Sequence, residues 1–150
     1  MKRLRVYIDT SVVGGCFDEE FAEPSAALFE LNRAGEIVLL VSDLLAQELR
    51  QAPEQVAARL DALNSDCTES VSTTARAVRL RDAYLDARVV SASSANDALH
   101  VALATTARSD VIVSWNFKHI VHLERIRGFN AVNIREGYAP LEIRSPKEVV

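Results

Sequence analysis

The stretch "RVYIDTSVVGG", residues 5–15, places a carboxylate directly after a short apolar run. Val6, Tyr7 and Ile8 are β-branched or aromatic residues of the kind that form buried strands. A buried strand gains no stability from a charge at its end, and a turn can form without an acid. Asp9 therefore indicates a functional site if other acids converge on the same edge of a sheet.

Apolar runs of strand length alternate with helical patterns along the chain. We predict strands at residues 3–8, 36–41, 68–71, 110–115 and 131–134. We predict helices at residues 24–34, 43–51, 53–63, 72–88, 95–108 and 118–128. Strands that alternate with helices predict an α/β fold, in which helices joined to the strands by right-handed crossovers wrap a parallel sheet.

The composition is that of a globular protein with one domain, residues 1–150. Of its residues 49% are hydrophobic and 25% are charged, and the net charge of −4 argues against a protein that coats nucleic acid non-specifically. Cys16 and Cys67 lack the spacing of a metal or redox motif, which predicts free thiols in a reducing compartment. No apolar run has the length of a signal peptide or a membrane span. We therefore expect a cytoplasmic protein without membrane association.

Glu48 occupies an unexpected face of its predicted helix. It lies three and four residues after Leu45 and Leu44, which should face the core. The carboxylate therefore either lies at the edge of the apolar face, where it reaches water, or is held beside a cationic group.

Asp97 and Asn116 each have a structural explanation beside the functional one. Ser94 and Asp97 fit a variant of the capping box, and an acid in the first turn also suits the helix dipole. The helix that follows is apolar on nearly all sides, however, which places Asp97 at the mouth of the core. Asn116 follows a predicted strand, where it either starts a turn or offers its amide oxygen to a site.

We expect these four side chains to meet, because the carboxyl ends of parallel strands lie along one edge of a sheet. Two unit charges about 4 Å apart repel by on the order of 4 kcal/mol at an effective dielectric near 20. Grouped carboxylates therefore either have raised pKa values or are neutralised by a cation. Hard oxygen ligands suit Mg²⁺ or Mn²⁺, which predicts a divalent-metal site.

The ordered segments "YIDTSVV", "SDLLAQELR", "NDALHVALA" and "VIVSWNFKHI" resemble those of a PIN domain, the nuclease domain of VapC-type toxins. The resemblance implies a three-layer α/β/α sandwich around a parallel sheet. It also implies an Mg²⁺- or Mn²⁺-dependent endoribonuclease that cleaves RNA as the toxin of a type II toxin–antitoxin pair. A cognate antitoxin protein and a second copy of the chain in a homodimer are the implied partners.

The same resemblance assigns roles to single residues. The implied catalytic and metal-binding acids are Asp9, Glu48 and Asp97. Thr10 and Ser11 match the hydroxyl positions that orient the first acid or a water. Many PIN domains carry a further aspartate where this chain has Asn116, whose amide is at most a weak ligand. This departure keeps an alternative open, namely a catalytically weakened PIN-like module that binds RNA or protein.

Basic and aromatic side chains offer contacts to RNA. Arg79 and Lys118 are candidates for phosphate contacts, although such residues more often form a solvated helix face. Trp115 is a candidate for base stacking, although an aromatic residue at a strand end more often packs in the core. We expect His100 to be a hydrogen-bonded residue near the core rather than a general base.

A second enzyme class begins in the same way. Phosphatases of the haloacid-dehalogenase type also place Asp after the first strand, but they need another acid two residues later. Ser11 occupies that position here, which argues against this class.

Overall fold

The computed structural model describes residues 2–150, in which five strands form one sheet. The strands are β1 (Leu4–Ile8), β2 (Ile37–Ser42), β3 (Thr68–Val71), β4 (Val111–Val113) and β5 (Glu142–Arg144). All four strand pairs are parallel, and the order across the sheet is β3-β2-β1-β4-β5. The predicted parallel sheet is therefore confirmed.

Helices cover both faces of this sheet. They are α1 (Thr10–Gly15), α2 (Ala22–Arg33), α3 (Asp43–Leu49), α4 (Glu54–Ala57), α5 (Ala75–Asp86), α6 (Ala95–Thr106) and α7 (Leu123–Arg135). Short 3₁₀ segments lie at Ala58–Ala62, Ser65–Cys67, Ala92–Ser94 and Pro146–Glu148. Within residues 2–150, no helix has the length and apolar character that crossing a membrane requires.

The alternating residues of β1 show how the two faces are filled. Tyr7 joins a buried cluster formed with residues of α5, α6 and α7. Val6 and Ile8 join a second cluster, formed with residues of α1, α2 and α4. Helical layers therefore lie on both sides of the sheet, which confirms the α/β/α sandwich.

The order of the strands creates a crevice. The chain passes outward from β1 to β2 and β3, and then returns to the other side of β1 to form β4 and β5. Because parallel crossovers are right-handed, this reversal places the connecting helices on opposite faces. Ligands of doubly wound sheets bind beyond the carboxyl ends of the two strands at which the order reverses. Asp9 and Ser114 are the first residues beyond β1 and β4.

The carboxyl-terminal part of the chain differs from the sequence prediction. The predicted end of a helix at Gly128 and the predicted strand at residues 131–134 are both wrong, because α7 runs through both positions. Gly128 is a packing position, since a Cβ there would lie 2.9 Å from Val89 Cγ1. The helix ends just before Gly137, whose φ of +88° is the left-handed conformation that favours glycine after a helix.

Most other predicted boundaries lie within three residues of the observed ones, but α1 and β5 were not predicted and α7 begins at Leu123, not at residue 118. Ser42 caps α3 by accepting a hydrogen bond from the Leu45 amide, as expected. The predicted helix at residues 53–63 is only partly correct, because a short α-helix changes into a 3₁₀ segment within it. Cys16 and Cys67 are free thiols, as predicted.

Gly15 allows α1 to pack against the only tryptophan. A Cβ at residue 15 would lie 2.6 Å from Ser25 Oγ and 2.7 Å from Trp115 Nε1, two atoms that share a hydrogen bond. We expect Gly15→Ala to lower the free energy of unfolding by about 1–3 kcal/mol through overpacking. Urea denaturation followed by tryptophan fluorescence measures this change. Gly14→Ala is the matched control, since no atom lies within 4 Å of a Cβ there, and equal losses in both variants would contradict the prediction.

Candidate functional site

Asp9 is a buried carboxylate at the start of the crevice. Its side chain accepts a hydrogen bond from Ser11 Oγ at 2.6 Å on Oδ1 and from Ser114 Oγ at 2.6 Å on Oδ2. Asp9 precedes α1 in the capping position, but its side chain makes no capping bond to the helix. The carboxylate is therefore directed to the hydroxyls at the ends of β1 and β4 and does not serve the turn.

Backbone groups hold the two serine hydroxyls in place. The Trp115 amide donates to Ser11 Oγ at 2.8 Å, and the Asn116 amide donates to Ser114 Oγ at 2.9 Å. Each hydroxyl thus accepts a hydrogen bond from the chain that leaves β4 and donates its own proton to Asp9. The orientation of the carboxylate depends on the pairing of β1 with β4, in which Ile8 lies opposite Val113.

Burial dominates the electrostatics of Asp9, which is only 4% exposed. Desolvation raises the pKa of its carboxyl, and this effect outweighs the opposing influence of His100 and of the serine hydroxyls. A negative charge at Asp9 is therefore incompletely compensated by the protein. A cation beside the carboxylate would supply the missing compensation.

Glu48, on α3, is held beside a histidine. Its Oε1 accepts a hydrogen bond from His100 Nε2 at 2.6 Å and another from Thr10 Oγ1 at 2.6 Å. Partial burial raises the pKa of this carboxyl, but the bonds from His100 and Thr10 outweigh burial and bring the pKa below its ordinary value. Glu48 lies at the edge of the apolar face, where its side chain is 28% exposed, and it is also held beside the imidazole of His100.

His100 lies inside the protein, as expected from the sequence. The side chain is 3% exposed, and its second ring nitrogen, Nδ1, lies 2.7 Å from the Tyr7 hydroxyl. Tyr7 in turn donates to Ser42 Oγ at 2.9 Å, and Ser42 caps the helix that carries Glu48. This closed set of bonds fixes the orientation of the imidazole and, through it, the orientation of Glu48.

Asp97 has a different partner from the one that the sequence suggests. The predicted capping interaction of Ser94 is wrong, since the serine side chain makes no capping bond to α6 and is buried. Asp97 Oδ2 instead lies 3.2 Å from His119 Nδ1, on the segment that follows β4. The acid is thus turned towards the carboxyl end of the sheet, and its side chain is 29% exposed.

Hydrogen bonds between α1, α3 and α6 link the surroundings of the three acids. Thr10, the residue after Asp9, donates a hydrogen bond to Glu48. Glu48 also contacts His100, which lies on α6 about one helical turn after Asp97. In residues 2–150, however, no three His, Cys, Asp or Glu side chains are grouped closely enough to hold a metal ion. Three carboxylates repel one another, so a closer arrangement of the three is unfavourable unless a cation lies between them.

The donor chemistry nevertheless fits a hard divalent cation. All three groups offer carboxylate oxygens, the ligands that Mg²⁺ and Mn²⁺ prefer. The burial of Asp9, whose charge the protein compensates only in part, is the specific observation in favour of a cation. Among the described residues, Glu48 Oε2 and Asp97 Oδ1 accept no hydrogen bond and are left for a ligand, whereas both oxygens of Asp9 accept one from a serine hydroxyl.

Asn116 forms the turn that the sequence allowed. Its Oδ1 accepts a hydrogen bond from the His119 amide at 2.9 Å, which orders the chain after β4. The weak metal contact suggested for this amide stays a prediction.

Trp115 packs inside the protein. It stacks on Phe21 with ring centroids 4.1 Å apart, donates from Nε1 to Ser25 and is only 7% exposed. Packing therefore accounts for this residue, and its stacked, buried ring is not free to stack on a base. Arg79 and Lys118, the candidates for phosphate contacts, are both exposed.

Two contributions to the site were missed from sequence. Ser114 places a hydroxyl directly after the apolar residues of β4. The sequence shows this polar position but does not show that the hydroxyl bonds to Asp9. His100 was placed near the core, but its bond to Glu48 joins residues 52 positions apart in the chain. Ser11 bonds to Asp9 as its orienting role requires, whereas Thr10 bonds to Glu48.

The burial of Asp9 predicts a cost in stability. We expect Asp9→Asn to raise the free energy of unfolding at neutral pH in metal-free buffer by about 1–3 kcal/mol, because the buried charge is removed. In the wild type the pKa of Asp9 is raised in the folded state, so ionisation of this carboxyl destabilises the fold. The destabilisation develops as the pH rises above the ordinary pKa of 3.8 and is absent at lower pH. Urea denaturation between about pH 3 and about pH 8 measures this difference.

Asp61→Asn is the control for the loss of one negative charge, since Asp61 is exposed. It should change stability little across the same range. A destabilised Asp9→Asn protein at neutral pH, or a gain that persists unchanged in acid, would contradict the electrostatic explanation.

Known proteins place this arrangement in a family. Residues 5–118 match the family model of the PIN domain. Among solved structures, the chain is similar to VapBC2 from Rickettsia felis bound to a DNA fragment from its promoter, with a TM-score of 0.58 and 16% identity over 93% of this chain and 98% of that chain. It is also similar to VapC20 from Mycobacterium tuberculosis, a toxin that cleaves the sarcin–ricin loop, with a TM-score of 0.53 and 15% identity over 91% and 98% of the two chains. No curated protein sequence matches this chain.

The two structural similarities, at 16% and 15% identity, show a shared fold. The family match covers well over half of the chain and includes Asp9, Glu48 and Asp97. The chain therefore belongs to the PIN-domain family.

Proposed function

We propose that this protein is a metal-dependent endoribonuclease that cleaves RNA phosphodiester bonds. Three carboxylates at the crevice between β1 and β4 support the proposal, and the observation that carries it is the buried, incompletely compensated charge of Asp9. The family adds to this support, because VapC20, with the same fold, is a toxin that cleaves RNA.

The proposed cofactor is Mg²⁺ or Mn²⁺, held by Asp9 and Asp97 with Glu48 as the third acid. When bound, the ion supplies a Lewis acid for the scissile phosphate and lowers the pKa of a water. Asn116 is at most a weak additional ligand, since its Oδ1 already accepts the His119 amide.

The chain itself supplies orientation. Ser11 and Ser114 fix the two oxygens of Asp9, which leaves the carboxylate little rotational freedom to lose when a ligand binds. His100 and Thr10 fix one oxygen of Glu48, and the other is left to orient the attacking water.

The protein is also expected to have protein partners and a defined cellular compartment. We propose a single domain over residues 1–150, which acts in the cytoplasm as the toxin of a type II pair and forms a homodimer. The similarity to VapBC2 supports a cognate antitoxin protein as a partner. Two free thiols, Cys16 and Cys67, are consistent with a reducing compartment.

Two observations favour a second candidate, a PIN-like module that binds RNA or protein without turnover. Asn116 brings no charge to the crevice, and the acids are not grouped as a metal site within residues 2–150. Such a module would bind Mn²⁺ weakly and leave RNA intact.

Cleavage of RNA tests the nuclease directly. We expect the wild type to cleave single-stranded RNA in Mn²⁺ or Mg²⁺, to stop in EDTA and to recover when the ion is restored. Asp9→Asn and Asp97→Asn should each lower the rate by about 10³-fold or more, the scale of losing a group that stabilises transition-state charge. Gel analysis of a labelled RNA measures the rate.

Asp61→Asn should cleave at the wild-type rate, because its carboxylate is exposed and remote from β1 and β4 in the chain. An Asp9→Asn protein as active as the wild type in metal-replete buffer would refute the assignment. A wild type that binds RNA without cutting it would select the binding module.

Growth of cells tests the toxin role. We expect expression of the wild type to arrest growth because cellular RNA is cleaved, and Asp9→Asn to relieve the arrest. Co-expression of the protein encoded beside this gene should also relieve it, with a complex of the two recovered on purification. Arrest by Asp9→Asn at equal protein level would exclude cleavage as its cause.

A further inference from the structure

A cavity of about 640 Å³ lies next to the acids, on the face of the sheet that α5, α6 and α7 cover. Its chemically active lining residues are Arg88, Arg125, His119, Ser91 and Asp86. His119 belongs to this cavity and also contacts Asp97, so the cavity and the acidic crevice share one side chain. A polymer bound at the crevice can therefore continue into the cavity.

Arg125 is held in the cavity wall by the backbone. Its Nη1 donates to the Val89 carbonyl at 3.0 Å, and the absence of a side chain at Gly128 lets Val89 approach α7. Within residues 2–150, Arg125 Nε is buried and has no hydrogen-bond partner. The buried Nε is out of reach of a ligand, but Nη2, which donates no hydrogen bond among the described residues, is left to bind an anion in the cavity.

Arg88 brings a second positive charge that the fold leaves available. It is exposed and lies in the left-handed region with φ of +58°, just after α5. Among the described residues its guanidinium forms no ion pair within 4 Å. The cavity lining contains these two arginines and one carboxylate, that of Asp86, so it is locally basic in a protein of net charge −4.

We propose that this cavity is a phosphate-binding subsite, in which Arg88 and Arg125 hold a phosphate of the RNA strand next to the one that is cleaved. The inference rests on the proposed function, because three carboxylates repel a polyanion unless positive charge lies close by. Guanidinium groups suit phosphate, since their planar donors match its oxygens. His119 lies between the subsite and Asp97, where the strand passes from one to the other.

Binding of RNA without cleavage tests the subsite. The probe is a fluorescein-labelled single-stranded oligoribonucleotide in EDTA, followed by fluorescence anisotropy over about 50–200 mM salt. Arg88→Gly should bind it about tenfold more weakly, the effect of losing one charged hydrogen bond. The slope of log K against log salt should fall by about 0.7, the value for one phosphate contact on a single strand. Arg88→Lys should recover much of the lost affinity.

Arg108→Gly is the matched control. Arg108 also follows a helix with φ of +56°, but it lines a different cavity, beside the start of β4. Both variants remove one positive charge and place glycine where glycine is favoured, so both should fold. Arg108→Gly should keep the wild-type affinity and salt slope, and thermal unfolding checks that the two variants are equally stable.

The outcomes separate this inference from the proposed function. Equal affinity and equal salt slope for Arg88→Gly and Arg108→Gly would overturn the subsite, whether or not the wild type cleaves RNA. A selective loss in Arg88→Gly supports the subsite, even if no cleavage is seen in Mn²⁺. A loss of polyglutamate binding with RNA binding unchanged would overturn it in favour of an acidic protein segment. A loss of inorganic phosphate binding in Arg88→Gly with RNA binding unchanged would overturn it in favour of a free-phosphate site.

Discussion

The hydrogen bonds from Ser11 and Ser114 to the buried carboxylate of Asp9 are the interaction on which the site depends. They join the ends of two strands whose sequences lie more than 100 residues apart, and they form only because β1 and β4 pair side by side. Each hydroxyl also accepts a backbone N–H, so neither can turn away without leaving a buried donor unpaired. A carboxylate held in this way has a fixed direction before any ligand arrives.

The two carboxylates next to α1 have opposite electrostatic environments. Burial raises the pKa of Asp9, whereas hydrogen bonds lower the pKa of Glu48 in spite of its partial burial. Different environments of this kind give two acids different roles in one site. A cation would stabilise the ionised form of Asp9, which burial disfavours, whereas Glu48 is kept ionised and oriented by its hydrogen bonds.

Charge is divided between the two sides of the crevice. Residues 18–20 and Glu23, between α1 and the first turn of α2, are acidic and exposed, whereas the cavity beside α5 and α7 carries Arg88 and Arg125. A polyanion is repelled by the first side and attracted by the second. The protein as a whole is acidic, so the side of the crevice that attracts a polyanion is set by this local division and not by net charge.

Local patterns predicted the parts of the fold that depend on local physics. β1, β2 and β3 were recognised within about one residue because apolar runs between turn residues mark covered strands. The end of α7 was not, because glycine at residue 128 looks like a stop signal until Val89 is known to press against it. The capping role of Ser94 failed for a similar reason, since this serine is buried at the end of a 3₁₀ segment.

The sequence by itself determined the class of the fold, since strand and helix periodicity are local properties, and it singled out Asp9, Glu48 and Asp97 as candidate acids. Only the tertiary structure decided what each acid contacts. Ser114 reaches Asp9, His100 reaches Glu48 and His119 reaches Asp97 across long stretches of chain. Those contacts follow from strand order and helix packing. Both arise from the burial of the whole core, so no short segment of sequence predicts them.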